Sequence, residues 1–531
     1  MRRLAAASVC VLALATVSAA PAPQVQSPFD RAASPAPRSR IDELVFARLK
    51  QLGIAPAREA TDAVFLRRAF LDLTGTLPTA AEAREFIGDP SPGKRASLID
   101  KLLERGEFAD YWAMKWGDTL RIKSEFPINL WPNAVQAYHQ WVRASVRDNV
   151  PYDRFARTLL TSSGSNFRVG PVNFYRAVQN KAARTIAAAV ALTFMGVRTD
   201  AWPKERLDAM AVFFSQIAYK PTGEWKEEIV YFDAGQPLPA RPRGAAGFPL
   251  PDGTATGIAA GQDPREAFAA WLTAPGNPFF ARAAVNRAWY WIFGRGIVQE
   301  PDDIRPDNPP SNPELLAYLE KAFVESGYDF KGLWRLILNS ATYQLSSIAP
   351  APSEQAEANF AYAILRPLDA EVLVDALNQI TGASEQYQSA IPEPYTFIPP
   401  DQRSIALPDG SITSAFLETF GRPPRDSGLA SERSTRASAS QRLQLLNGGD
   451  VQRKIQQGPK MQALLQGGGG GGIQVLNNLY LTILSRFPTE SEAQTVGVYM
   501  QAAGTTPAQR RQAVLDVVWA LLNSAEFRYR H

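Results

Sequence analysis

Apolar residues recur along this chain three and four positions apart, the spacing that lines one face of an α-helix. The pattern is densest at 279–293. There Phe280, Ala284, Arg287 and Trp291 form one row and Ala283, Arg287 and Tyr290 another, with Trp289, Ile292 and Phe293 widening the apolar face. Gly294 and Gly296 stop this helix, the first suited to a left-handed cap. A proline-rich loop follows, carrying Asp302, Asp303, Asp307 and Asn308. Ser311 or Asn312 is placed to cap the next helix, with Pro313 at its first position and Glu314 in its first turn.

The same periodicity predicts helices at 41–52, 63–73, 93–104, 108–120, 134–146, 264–272, 332–345, 366–380, 476–486 and 508–527, and a C-terminal helical set opening at Gln441. Thr79 with Glu82 three residues on has capping-box spacing, and Asp62 and Asp263 are placed to cap the helices that follow them. β-Branched and aromatic runs predict a short strand at 229–232 and further strands at 395–398 and 411–417. The expected fold is mainly α: a multi-helical two-domain protein with a few short strands in linkers and loops.

A length of 531 residues implies at least two domains. The opening residues have Arg2 and Arg3, an apolar run over 4–17 and small residues at 18–20, the pattern of a signal peptide covering 1–19. A Pro/Ala/Ser-rich stretch at 20–38 is expected to be a disordered linker. Helical domains are then expected at 39–234 and 263–531, joined by a Gly/Pro-rich linker at 235–262. A glycine run at 467–472 interrupts the second domain; it lacks the following Lys-Ser/Thr of a phosphate-binding loop. No later stretch is long and apolar enough to span a membrane. The expected location is therefore periplasmic or extracellular.

The one cysteine, Cys10, lies inside the expected signal, so no disulfide or thiolate chemistry is expected after cleavage. Without Arg2 and Arg3 there are 54 basic and 52 acidic residues, 56 less two against 52, which argues against a nucleic-acid partner. His139 and His531 are the only histidines. They cannot build a multi-histidine zinc site, and a Ser-His-Asp triad would have to use His139 without any GxSxG elbow.

The acidic loop is the leading candidate site: Asp302, Asp303, Asp307 and Glu314, supported by Asn286, Arg287 and Arg295. Its hard oxygens suit calcium, with Asp302 and Asp303 as the candidate ligands, although the spacing is not that of an EF-hand. Two carboxylates can also work as acid and base on a glycosidic bond. The plainer reading is that Arg287, Arg295 or Arg305 pairs with them to hold the loop. Arg67, Arg68 and Asp72 read as an ion-paired helix surface, and Trp112 and Trp116, four apart, as core. Residues 421–442 place five arginines among small residues, suited to an extracellular anionic glycan or a partner protein, or simply to a solvated loop over neighbouring helices.

The segments VNRAWYWIFGRGIV (285–298), PDD (301–303) and NPELLAYLEKAFVESGYDFKGLWRLILNSATYQLSS (312–347) resemble the bacterial domain-of-unknown-function family fifteen-fifty-three. LRRAFLDLTGTLPTAAEAREFIGDPSP (66–92), KWGDTLR (115–121) and NVPYDRFARTLLTSSG (149–164) resemble family fifteen-forty-nine. The combination implies an exported, planctomycete-type, cytochrome-associated protein, many of which carry c-type haem motifs. Here the family frame is present at 194–198 and 210–214, but TDAWPKERLDA stands between them, without the two cysteines and the histidine. Covalent haem needs those groups, so no haem and no other cofactor is expected. Three readings follow: a non-enzymatic binding or assembly partner outside the cytoplasm; a carboxylate-dependent enzyme on extracellular polysaccharide or another polymer; and an accessory to extracytoplasmic electron transfer, with haem from another chain.

Overall fold

The computed structural model describes residues 27–240, 246–434, 436–466 and 472–531. The expected signal peptide, the start of the first linker, and 467–471 of the glycine run lie outside them.

The protein is mainly α-helical. The first half of the chain contributes α1 (Arg40–Gln51), α2 (Asp62–Leu73), α3 (Ala80–Gly88), α4 (Lys94–Leu103), α5 (Gly106–Thr119), α6 (Pro132–Arg147), α7 (Tyr152–Thr161), strand β1 (Gly164–Ser165), α8 (Ala183–Val190), α9 (Lys204–Ala211), β2 (Ile217–Pro221) and β3 (Glu228–Phe232). The three strands form an antiparallel sheet in the order β1-β3-β2. The expected strand at 229–232 is the core of β3. Helix α3 starts at the Thr79–Glu82 capping box read from the sequence. Asp62 is not a cap: Thr61 fills that position, and Asp62, one residue inside, pairs with Lys94 and Arg95, both at 2.8 Å.

A small antiparallel hairpin follows, β4 (Phe248–Pro249) and β5 (Ala255–Thr256). Next come α10 (Pro264–Leu272), capped by Asp263 as expected, α11 (Phe280–Phe293), α12 (Pro313–Glu325), α13 (Phe330–Leu338), α14 (Glu354–Ala358), strand β6 (Arg366–Pro367), α15 (Ala370–Thr381) and α16 (Ala415–Thr419). The chain ends in α17 (Ala439–Asn447), α18 (Gly449–Gln457), α19 (Pro459–Gln466), α20 (Gly472–Leu484), α21 (Glu490–Ala502), α22 (Pro507–Asn523), α23 (Ala525–Arg528) and β7 (Tyr529–Arg530).

Several expectations give way to tertiary contacts. Residues 27–38 are not a loose linker. Thr61 donates its N–H to Phe29 and its hydroxyl to Pro28, and Arg38 bonds Gln344 at 2.9 Å. Part of the second linker is also folded, with Phe248 and Leu250 buried. The helix expected at 332–345 stops at Leu338, because Asp42 captures the N–H groups of Ala341 and Thr342 at 3.0 and 2.8 Å. The one expected at 366–380 starts at Ala370, because Arg366 and Pro367 are drawn into pairing with Arg530 and Tyr529. Neither 395–398 nor 411–417 forms a strand. Ser414 caps α16 instead, accepting the Leu417 N–H, which commits that segment to a helical turn.

One core runs through both halves. Trp112 of α5 stacks on Trp334 of α13 at 4.3 Å between centroids, and Tyr152 of α7 lies parallel to Phe280 of α11 at 4.7 Å. Asn312 caps α12 and reaches back to the Leu44 carbonyl of α1. Trp112 and Trp116 are core, as their spacing suggested.

Candidate functional site

The acidic loop does not converge. Asp302 is buried, with one carboxylate oxygen 3.0 Å from Arg287 and the other accepting the Ala430 N–H at 2.6 Å. Arg287 also donates to the carbonyls of Thr193 and Leu192, at 2.6 and 3.1 Å. Asp303 and Asp307 both go to the solvent-facing Arg305, at 3.2 and 3.3 Å. Glu314 is exposed in the first turn of α12, and Arg295 lies 3.8 Å from Glu357. Asn286 is buried and clamps both the N–H and the carbonyl of Val298, at 2.9 and 3.0 Å, which shapes the Gly296 turn. Among the described residues no group of three or more His, Cys, Asp or Glu side chains is placed to share a metal ion.

Arg67 and Arg68 are buried rather than on a helix surface. Arg67 donates to the carbonyls of Ile483 and Phe527, and Arg68 to those of Tyr343 and Leu345 and the main-chain oxygen of His531. They bind the C-terminal helices to α2. His139 is buried in α6 and pushed down to about 3 by desolvation, with Arg425 and Arg143 adding to the effect.

The charge-bearing centre of the molecule lies beside the acidic loop, where α5, α11, the β6–α15 junction, the 422–433 segment and β7 meet. The β6–β7 register sets Arg366 opposite Arg530. Both guanidiniums address Asp72, at 3.5 and 2.9 Å. Arg530 also reaches Asp369 at 2.7 Å and the Tyr111 hydroxyl at 3.0 Å. Lys115 of α5 approaches the same Asp369 oxygen at 2.9 Å. Arg433 spans Asp118 and Glu371, each at 2.7 Å. Arg425 meets the other Asp118 oxygen at 2.9 Å.

Two glycines make this density possible. A Cβ on Gly117 would stand 3.0 Å from the Arg425 guanidinium carbon, so α5 needs glycine where that side chain crosses. Gly294 ends α11 at φ +79, and a Cβ there would overlap the Arg366 side chain at 2.1 Å. It serves both the left-handed cap and the close approach.

A small cavity of about 60 Å³ opens among these groups. Its charged lining is Lys115, Arg287, Arg366, Arg433 and Arg530 against Asp118 and Asp369, five cations to two carboxylates. Burial opposes the ionisation of Asp369, but Lys115, Arg530 and Arg433 outweigh it and hold the carboxyl well below the usual range. Burial pushes the Lys115 amine down to about 8, with Asp369 resisting and Arg433 and Arg530 adding to the shift. Burial raises the Tyr290 phenol, which also lines the cavity. Lys115 makes one hydrogen bond here, to Asp369. An ammonium offers three donors, so it retains capacity for a ligand. The arrangement can hold an anion against cations that are already fixed in place, with little reorganisation on binding.

Residues 40–205 match the family described as PSCyt2, protein of unknown function (DUF1549), and residues 264–500 match PSD1, protein of unknown function (DUF1553). The chain combines these two families. The PSCyt2 region supplies Lys115 and Asp118. The PSD1 region supplies Arg287, Tyr290, Arg366, Asp369 and Arg433, and Arg530 lies beyond the PSD1 match. The cavity is thus built jointly by both families. No curated protein and no solved structure matches the chain.

Of the residues singled out from the sequence, Arg287 lines the cavity and Asp302 braces its wall through Ala430. Lys115, Asp118, Tyr290, Arg366, Asp369 and Arg530 were not anticipated. Arg433 stood out only as one of the five arginines of 421–442, a segment read as suited to an anionic glycan or a partner protein, or as a solvated loop over neighbouring helices. The available signal was a charge among aromatics: Lys115 sits between Trp112 and Trp116.

Proposed function

We propose that this PSCyt2–PSD1 protein is an exported, haem-less binding or assembly protein that holds an anionic group of its ligand in the charged cavity. The observation that carries this reading is the lining itself, five cations to two carboxylates around a space of about 60 Å³, room for a small anionic group. The cations are prepaid in position by Asp72, Asp118, Asp369 and Glu371, so a ligand carboxylate meets donors that need not be gathered. The lysine amine and the tyrosine hydroxyl are the two groups suited to direct contact. Carboxylate-dependent catalysis has less support. Asp302, the most buried acid of the loop, spends both oxygens on protein partners. Export and the absence of haem rest on the N-terminal pattern and on TDAWPKERLDA at 199–209. Among the described residues no helix is long and apolar enough to cross a membrane.

The test is calorimetric titration of the purified protein with acetate, a uronic acid monosaccharide, sulfate and phosphate. Saturable binding of at least one, abolished in Lys115→Met and weakened in Tyr290→Phe, is the expected result. No binding of any of the four, or binding indifferent to both substitutions, would remove the reading. Mass spectrometry of the protein recovered from the natural host checks the export proposal through its N-terminus.

A further inference from the structure

The charged cavity is one end of a longer depression. It shares Leu429 with a neighbouring groove of about 300 Å³, and that groove shares Ile128, Val178 and Gln179 with a third, of about 650 Å³. Together they make a track rather than three isolated pockets.

Charge changes along the track. In the outer groove Arg176, Lys181 and Lys226 stand against Glu224, Glu227 and Glu228. In the middle one Arg121 and Arg198 stand against Asp200 and Asp426. Both are balanced; in the outer groove Glu228 lies 2.9 Å from Arg176 and 2.8 Å from Lys181, while Glu224 and Glu227 face Arg168 at 3.8 and 3.6 Å. Only in the inner cavity do cations outnumber carboxylates among the lining side chains, with Asp72, Asp302 and Glu371 standing behind them as partners.

The outer end is also where aromatic rings face solvent. Trp225 is 69% exposed, and Phe126, next to the groove wall at Pro127, is 80% exposed. The Lys226 ammonium lies 5.2 Å from the Trp225 ring and 5.7 Å from Trp131, and Trp131 meets Tyr395 edge-on at 5.2 Å. Large ring faces left in water beside a concave surface mark a binding face. The turn at 222–227 that carries Trp225 is closed by main-chain bonds, Thr222 donating to Glu227 and Glu227 to Glu224.

We infer that the track seats a linear glycan with a neutral body, which enters the cavity with a unit bearing a carboxylate. This rests on the anion reading of the cavity. Sugar rings have apolar C–H faces that lie on exposed Trp and Phe, and hydroxyls that hydrogen-bond to charge pairs without needing a net field. A polymer charged on every unit would find no excess of cations over the outer two grooves.

The experiment uses the full chain and isothermal titration with a uronic acid monomer, neutral oligosaccharides ending in one uronic acid, from two to eight units, and uncharged oligosaccharides of the same lengths. Affinity for the acid-ended series rises at least tenfold from monomer to the longest member. Trp225→Ala, a change at an exposed ring, removes that gain and leaves monomer binding intact. Lys115→Met weakens the whole series. If the monomer binds but length adds nothing, or the gain survives Trp225→Ala, the glycan track is wrong while the anion cavity stands. If binding throughout is indifferent to Lys115→Met, both are wrong. Equal binding of the uncharged series overturns the acid-ended ligand. Competition by an acidic peptide at equal affinity assigns the track to a protein partner and overturns the inference.

Discussion

Arg433 and Asp118 meet at 2.7 Å across 315 positions of sequence, and the pair fastens the PSD1 region to the PSCyt2 region. The far side of the Arg433 guanidinium is taken by Glu371, which it holds down to about 2 against the opposing effect of burial. Removing the arginine leaves Asp118 with Arg425 alone and Glu371 with Arg422 alone, at 2.9 and 3.4 Å, in a place with little water. Arg433→Met should therefore destabilise the protein by about 3–5 kcal/mol. Urea denaturation at neutral pH checks it. A single-variant loss below about 1 kcal/mol would mean that the pair behaves as a surface contact.

The acidic loop yields a prediction that separates its members. Asp302 joins Arg287 to the Ala430 N–H, whereas Asp303 pairs only with the half-exposed Arg305. Asp302→Ala should cost about 3 kcal/mol or more, by leaving the buried Arg287 without its counter-charge. Asp303→Ala should stay within about 1 kcal/mol. Calcium should shift the thermal midpoint of neither the parent nor Asp303→Ala. A clear upward shift with calcium, lost in both variants, would restore the metal reading of the loop.

Local signals were legible in the sequence and long-range ones were not. The Thr79–Glu82 box, the Asp263 and Asn312 caps and the Gly294 stop were all readable, because a cap is made within four residues. The end of α13 was not, because Asp42, some 300 positions earlier, takes the main-chain groups that would continue it. The Arg366 and Arg530 juxtaposition depends on a two-residue strand pair that joins the middle of the PSD1 match to the chain beyond it, too short for periodicity to show. The arginines of 421–442 look solvated when read alone. Their acidic partners, Asp118, Glu371 and Asp369, are scattered along the chain, and only the fold brings them under the segment. The acidic loop stood out for its composition, yet its charges turn to separate arginines.

Lys115 should leave a mark on stability at alkaline pH. In the folded protein its amine is pushed by burial from an ordinary 10.5 to about 8, with Asp369 opposing and Arg433 and Arg530 assisting. Between those values the unfolded chain holds a proton that the folded chain has released, so this group makes stability rise with pH. Its contribution is at most about 3 kcal/mol over the window. Lys115→Met removes the ionisable group while keeping an unbranched apolar stem. Urea denaturation of both proteins at intervals from pH 7 to 10.5 should show the variant losing its rising limb relative to the parent. Parallel curves would mean that the lysine ionises normally in the fold.

At acid pH the buried histidine takes over. His139 is held at about 3 by desolvation, followed by the repulsion of Arg425 and Arg143, against an ordinary 6.5. As pH falls below 6.5 the unfolded chain gains a proton that the folded chain refuses, and stability drops. His531, also held at about 3, acts in the same direction, while Asp375, raised to about 6 by burial, acts in the opposite one between 6 and 3.8. From pH 6.5 to about 5 the loss assignable to His139 alone is about 2 kcal/mol. His139→Phe keeps a flat ring of similar size and ends the titration. It also removes a ring nitrogen, Nε2, that has no hydrogen-bond partner in the fold. The variant should lose about 2 kcal/mol less than the parent over that interval, with the remaining dependence set by His531 and Asp375. An unchanged acid limb would mean that His139 takes up its proton inside the folded protein, with water or a carboxylate reaching it between α6 and Arg425.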